Sequence, residues 1–330
     1  MSRITIVSNH RDADVITHDG SFHADEVMAC AMTLISLRTL NVHRTRDPST
    51  IKDAIIHGKT VVDVGGENKP DLDVFDHHQK GGAGCRKNGV PYSSFGLLWK
   101  KRGVDTVIAA IPNTTTLTTS QAIAVAAAID EGLVTTVDAT DNGAVFGYQT
   151  LRNSPDVRIP QYSVSLMIHH LNPPAFGVAS PVEYDAAFCD AVEFAAGILR
   201  REIEHTIARV VSETRVRDAM REALDAKVLI LDQFEAAMSD IVMESPSLLY
   251  CIFPDQRGTW MVQQVAKTKG SFEGRAPLPA AWAGLRDQQL AAITGVNDAV
   301  FCHNGRFIAG AKSKDGAIAL AALAVSAFES

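Results

Sequence analysis

The sequence predicts an α/β fold in which a parallel-sheet N-terminal lobe is joined by a long helix to a smaller α/β C-terminal lobe. Between about residues 14 and 145, short β-branched runs alternate with amphipathic helical stretches, the pattern of β-α units around a parallel sheet. From residue 181 to about 224 one helical pattern runs unbroken, opened by Pro181 and carrying Arg200, Arg201, Glu202 and Glu204 as a solvated face. Strand-like runs then return. The expected organisation is a first lobe over 1–180, a helical linker over 181–225 and a second lobe over 226–330.

In the first lobe, residues 14–18 read as a strand, and 26–40 as a helix that is apolar on one face and free of Gly and Pro. Residues 60–63 form a buried strand stopped by Gly65 and Gly66, and 74–76 begin a further extended piece before a loop holding Gly81, Gly82 and Gly84. Residues 92–101 and 120–138 read as helices. In the second lobe, strands are expected at 227–231, 248–253 and 259–265, with two more around Val300 and Phe307 and a closing helix over 317–328.

Composition narrows the classes. Hydrophobic residues make up 46% of the 330, enough for a sizeable core. The formal net charge of -7 argues against a large non-specific nucleic-acid footprint, so any polyphosphate must meet a local basic strip. The start of the chain lacks a secretory pattern, and no uninterrupted run of about 18 apolar residues occurs. A cytoplasmic protein without a membrane partner is expected. The five cysteines form no C-x-x-C pair, which excludes a thiolate zinc site and predicts buried thiols in a reducing compartment.

Four segments carry chemistry. His18, Asp19, Gly20, Ser21, Phe22, His23, Ala24, Asp25 and Glu26 lie where a strand becomes a helix, and open parallel sheets bind ligands at such strand ends. A polar turn explains one acidic residue there but not two histidines as well. Asp63 closes a buried strand, where a cation or a set of backbone N–H groups would satisfy its carboxylate. Asp76, His77 and His78 sit on an extended segment whose successive side chains point to opposite sides, so the two imidazoles can do different jobs. Asp76 is placed to orient a neighbouring ring. The last segment, Asp138 to Gly143, reads in isolation as a polar turn.

Taken together, D-H-H at 76–78 with acidic segments on either side resembles the DHH phosphoesterase superfamily. H-D-G-S-F-H-A-D-E, V-V-D-V-G-G, F-D-H-H-Q, the run 137–143, and the C-terminal S-F-E-G-R and L-P-x-x-W-A-G-L-R-D are similar, more closely, to the melanocyte proliferating gene one family of metal-dependent hydrolases and RNA exonucleases. The resemblance implies two divalent metal ions, one held by His18, His23 and Asp63 and the other by Asp25, Asp63, His77 and Asp141, with Asp63 the bridge. It puts His78 against the substrate phosphate and Asp76 behind it, and makes a metal-held hydroxide the nucleophile. The wider superfamily usually has an aspartate at the position of His23. Imidazole and carboxylate ligation without thiolate suits manganese first, then magnesium or cobalt, with zinc also compatible.

Outside that set, His169 and His170 read as packing residues of an apolar helical stretch. Lys267, Lys269, Arg275, Arg286, Lys312 and Lys314 lie among Gly and Ser in the second lobe, able to meet phosphates or to serve as ordinary solvated loops. Arg275 is the residue of that lobe expected to take part in catalysis, gripping substrate phosphate through its planar fork. The implied activity is 3'-to-5' exonuclease action on RNA or a short oligonucleotide. A small-nucleotide phosphodiesterase or phosphatase is the second reading and a metal-stabilised binding protein the third. Cleavage polarity, RNA against DNA and the oligomeric state, a homodimer included, stay open.

Overall fold

A computed structural model describes residues 3–112, 115–144, 149–151, 154–159, 161–174, 178–223, 226–271 and 273–330. Phe272 of the S-F-E-G-R segment lies outside the described residues. In chain order the first elements are β1 (Ile4–Ile6), β2 (Val15–Thr17), α1 (Ala24–Leu37), β3 (Leu40–Arg44), α2 (Pro48–Ile56), β4 (Thr60–Val62), β5 (Asn68–Lys69) and β6 (Val74–Phe75). There follow α3 (Ser94–Ala109), α4 (Thr119–Ile129), α5 (Thr135–Asp141), β7 (Gln149–Leu151), β8 (Ser154–Ile159), α6 (Val164–His169) and α7 (Pro181–Glu222). The remainder comprises β9 (Val228–Ile230), α8 (Met238–Ile241), β10 (Tyr250–Pro254), β11 (Trp260–Gln264), α9 (Asp287–Thr294), β12 (Ala299–Cys302), β13 (Ile308–Ala311) and α10 (Lys314–Glu329).

The chain divides into two compact units, Met1–Ile207 and Ala208–Ser330. The division falls inside α7 rather than at either end of the expected linker. Its cause is burial: Phe188, Ala191, Val192, Ala195, Leu199 and Ile203 recur at helical spacing and are all buried, whereas Val216, further along, joins a core of the second unit.

The first unit is organised by a six-stranded sheet of order β1-β3-β2-β4-β6-β5, parallel except for the β5–β6 pair. Val15, Ile16, Val61, Val62, Val74 and Phe75 are wholly buried, as expected of short strands covered on both faces. From β2 the chain moves to β3 on one side and then returns to β4 on the other, so the order reverses at β2 and β4. A crevice at the carboxyl ends of those strands is where this topology receives ligands.

Two helix boundaries differ from expectation. The first helix stops at Leu37 because Arg38 takes the left-handed conformation (φ 71°), which frees Leu40 to open β3 beside β1 and β2. In α3 the helix runs on to Ala109 through Gly103, where an added Cβ would fall 2.8 Å from the Trp99 ring, so the glycine is there to let that ring pack. The expected helix over 120–138 is two helices around a π-helical turn, Asp130–Val134. Strands β1 and β3 and helix α2 were not legible as separate elements.

The second unit has a five-stranded sheet of order β12-β13-β11-β10-β9, antiparallel apart from β9–β10. Along β10 the side chains alternate between two cores: Tyr250 and Ile252 pack with Trp282, Leu290 and Leu320, while Cys251 and Phe253 pack with Val216, Met238 and Ile241. No helix among the described residues is long and apolar enough to cross a membrane. Cys30, Cys251 and Cys302 are buried thiols as expected, but Cys85 is exposed and Cys189 only half-buried.

Candidate metal centre

The side chains singled out in the first unit come together at the carboxyl ends of β2, β4 and β6, three neighbouring parallel strands. His18 follows β2, Asp63 follows β4, and Asp76, His77 and His78 follow β6. His23 caps α1, Asp25 and Glu26 lie in its first turn, and Asp141 ends α5. Asp63 holds a left-handed backbone (φ 57°), an uncommon conformation for a side-chain-bearing residue, at the point where the strand must turn.

Asp63 faces two groups at once. Its Oδ2 lies 3.4 Å from His18 Nε2, and its Oδ1 lies 3.5 Å from His77 Nε2. Around the first are His23 and Glu26; with His18 and Asp63 they bring four ligand atoms within 4.8 Å of one another. Around the second, His77 Nε2 is 3.0 Å from Asp141 Oδ2 and 4.0 Å from Asp25 Oδ2. His23, Asp25 and Asp141 also converge. The His18 ring contacts the Asp19 carbonyl through Nδ1 at 3.0 Å, which turns Nε2 inward as the nitrogen that can ligate once its proton is displaced.

The electrostatics are those of buried carboxylates crowded together. Burial and the neighbouring charges of Asp63, Asp141 and Glu26 push Asp25 well above the usual carboxylate range. Burial also acts to raise Asp63, but the His18 and His77 rings override it and hold that carboxyl far below its ordinary value. Burial opposes charge on His18, yet Asp63 and Glu26 raise it to about 10; His77 is likewise raised to about 10, by Asp141 and Asp63. Three buried atoms, His18 Nε2, Asp25 Oδ1 and Glu26 Oε2, have no hydrogen-bond partner among the described residues. His18 Nε2 approaches Glu26 Oε1 to 2.9 Å but without the alignment of a hydrogen bond. Buried polar atoms left this way are costly unless something else satisfies them. Inward-facing imidazole nitrogens and orphaned carboxylate oxygens around a shared carboxylate fit divalent cations.

His77 and His78 do differ. The side chain of His77 is 11% exposed, whereas that of His78 is 62% exposed. Nδ1 of His78 meets Asp76 Oδ1 at 2.8 Å, and the other Asp76 oxygen accepts from Gly66 N at 2.6 Å. Asp76 thus ties an exposed ring to the turn after β4.

Several positioning residues were not legible in the sequence. Glu26 was read as part of a helix start, yet it is wholly buried against His18 and accepts from His23 N at 2.8 Å. Ser94, opening α3, donates its hydroxyl to Asp63 Oδ1 at 3.2 Å and its N–H to Asp25 Oδ2 at 3.3 Å. The buried Arg44 guanidinium donates to the carbonyls of His18 and Gly20 and to Asp185, and Asn172 brackets Phe22 through its N–H and carbonyl. Asp138 accepts from Ser93, Gly96 and Arg86; a Cβ at Gly96 would fall 1.8 Å from its carboxylate. The only sequence signal for these is polar residues at positions where the helical pattern demands apolar ones, as at Asp138.

A family model, MYG1_exonuc, described as Uncharacterised protein family (UPF0160), matches residues 14–325. The chain belongs to this family. The human protein named MYG1 exonuclease is 29% identical over 329 residues, covering 92% of this chain and 84% of its own. The Schizosaccharomyces pombe MYG1 protein is also 29% identical, over 324 residues, covering 93% of this chain and 95% of its own. Among solved structures, RecJ from Thermus thermophilus in complex with Mn2+ is similar over 96% of this chain and 53% of that one, at 13% identity and a TM-score of 0.28. That superposition is too loose to bear on fold or chemistry.

Outside the cluster, this MYG1 family member departs from expectation at three positions. The guanidinium of Arg275 donates to the backbone carbonyls of Met243 (2.6 Å), Ser245 (2.5 Å) and Leu248 (3.1 Å). With its fork so engaged, Arg275 holds a loop of its own unit; those contacts do not describe a phosphate grip. His169 and His170, expected as packing residues, are both exposed, and His170 Nδ1 meets the Tyr162 hydroxyl at 3.0 Å.

Proposed function

We propose that this chain is a divalent-metal-dependent phosphoesterase, and more narrowly an exonuclease that removes nucleotides from the 3' end of RNA or short oligonucleotides. The observation that carries the reading is Asp63, whose Oδ2 faces His18 and whose Oδ1 faces His77 and His78, at the meeting point of overlapping imidazole-and-carboxylate groups at the ends of adjacent parallel strands. In the proposed assignment, His18, His23 and Asp63 hold one ion and Asp25, Asp63, His77 and Asp141 the other, with Glu26 against the first. Divalent cations, manganese foremost, supply charge to bind the phosphoryl oxygens and make water acidic enough to attack at neutral pH. The exonuclease name of the human relative supports a nucleic-acid substrate.

The protein's own residues complete the chemistry. His78, exposed at the rim and fixed through Nδ1 by Asp76, is placed to donate to a phosphoryl oxygen as charge develops there. Ser94 steadies Asp63 and Asp25, and Arg44 and Asn172 hold the His18–His23 turn so that both rings keep their approach. The cluster described here carries no cysteine and shares Asp63 between neighbouring ligand groups, unlike the usual closed structural zinc site, which disfavours a purely structural role.

The test uses the purified protein with manganese and a panel of 5'-labelled RNA, 5'-labelled DNA, dinucleotides and phosphate monoesters. Stepwise shortening of 5'-labelled RNA from its 3' end is the expected result. Cleavage of monoesters alone would replace the exonuclease with a phosphatase, and a metal-loaded protein that cleaves nothing would leave a binding protein.

A further inference from the structure

The centre opens on one side into a cavity of about 890 Å3, wall to wall within the first unit. His23, Asp63 and His78 form the end of it that touches the proposed metal centre; helix α2 and the turn after β4 form the rest. Its size is that of a pocket for an organic ligand, several times what a phosphate group needs.

The α2 wall has a composition that a phosphate would not require. Ile51 and Ile55, one helical turn apart, line it together with Ile56 and Val64. Ile51 is buried in the core beneath, but Ile56 is 71% exposed, a large apolar side chain offered to solvent beside a polar centre. Lys52, one turn before Ile56, lines the same cavity, as does Arg46 just ahead of α2. Among the described residues Arg46 pairs with an exposed Asp19 at 3.5 Å, and the nearby Asp53 is taken by His10 and Arg11. Glu67 of the opposite wall is paired with Lys69, so in a chain of net charge -7 Lys52 and Arg46 set two cations beside the apolar ledge next to the centre.

Resting on the phosphoesterase reading, we propose that this cavity receives the nucleoside next to the scissile phosphate, its base against Ile55 and Ile56 and its far phosphate against Lys52 and Arg46. The substrate class is then a nucleoside-bearing phosphodiester, with inorganic phosphates and small sugar phosphates disfavoured. An aliphatic wall buries the face of any base and offers no hydrogen-bonding group to a base edge, so the subsite is indifferent to sequence. The cations need only meet the backbone charge that follows.

The test compares Ile56→Glu and Lys52→Glu, both at the rim of the cavity, with the unaltered protein. Turnover with manganese is measured on the dinucleotide pApA and on methyl p-nitrophenyl phosphate, a diester with no nucleoside. In each variant the ratio of kcat/KM for the dinucleotide to that for the minimal diester is expected to fall about tenfold, the scale of one lost apolar contact for Ile56→Glu or one lost charged hydrogen bond for Lys52→Glu. Calorimetric binding of pApA in calcium buffer is expected to weaken by a similar factor, and this reads the cavity independently of turnover. Unchanged dinucleotide binding in both variants, or an equal loss on both substrates, would overturn the subsite. Failure of the unaltered protein to cleave either diester would instead count against the phosphoesterase reading, leaving the calorimetry to decide the subsite.

Discussion

The two units use their charged side chains in opposite ways. In the second, Lys269 pairs with Asp240 at 2.7 Å, Lys314 with Asp232 at 2.8 Å and Lys267 with Glu273, while Arg275 is bound to three carbonyls. In the first, Asp25, Glu26 and Asp63 are buried together with two imidazoles, and some of their atoms have no hydrogen-bond partner among the described residues. Exposed ion pairs are worth at most about 1 kcal/mol and release readily to a substrate. A buried carboxylate cluster is far costlier and persists only where something compensates it. Chemistry is therefore to be sought where charge is locally unbalanced, and basic composition alone is a poor guide to it.

The strongest way to sharpen that contrast is the histidine pair. His77→Ala is expected to lose metal along with activity, because its ring lies among Asp63, Asp141 and Asp25. His78→Ala is expected to keep its metal yet turn over about a hundredfold more slowly, the scale of losing one transition-state partner. Metal analysis beside steady-state kinetics separates the two; identical behaviour would end the division of labour between them.

Glu26→Gln comes next. It keeps the shape but removes a charge beside His18, and should weaken metal affinity by about tenfold to a hundredfold, as losses around a metal ligand do. Competition with a chelating dye measures it, and unaltered affinity would make Glu26 only a helix cap.

A pH effect of intermediate size follows from the imidazoles. Without a cation, His18 and His77 are raised from 6.5 to about 10 by the carboxylates around them. A raised folded value means that their stabilisation is complete below about pH 6.5 and is lost as pH rises through about 10. Metal-free protein should thus melt progressively earlier between those limits. Manganese must displace both protons, so binding near neutral pH should release about two per chain. Calorimetry in buffers of differing ionisation heat reads that number, and no release would mean that the rings are not ligands.

The smallest effect belongs to the second unit. Arg275→Ala should lower stability by about 1 kcal/mol, since part-buried carbonyls lose their donors, while KM for oligonucleotides stays at the parent value. A raised KM without a lower melting temperature would restore the phosphate grip that the sequence suggested.

The parallel sheet and its strand ends were legible because short β-branched runs such as Thr60–Val62 finish in a polar residue, and the His18–Glu26 and Asp76–His78 segments repeat that pattern. Beyond the D-H-H resemblance, Asp141 had no such signal; it closes a helix and enters the centre only through the packing of α5. Glu26 was hidden by an ordinary capping position. Arg44 and Asn172 act across long stretches of chain on the turn they hold, contacts that no local spacing encodes. Arg275 misled because a Gly-flanked arginine looks alike whether it faces phosphate or its own backbone.

If Asp63 joins two metal sites into one centre, native mass spectrometry of the manganese-loaded protein will show it. Two ions per chain are expected for the parent, with both depleted in Asp63→Ala and hydrolysis reduced by about a thousandfold. An Asp63→Ala protein that still carries two ions and cleaves at the parent rate would contradict the account.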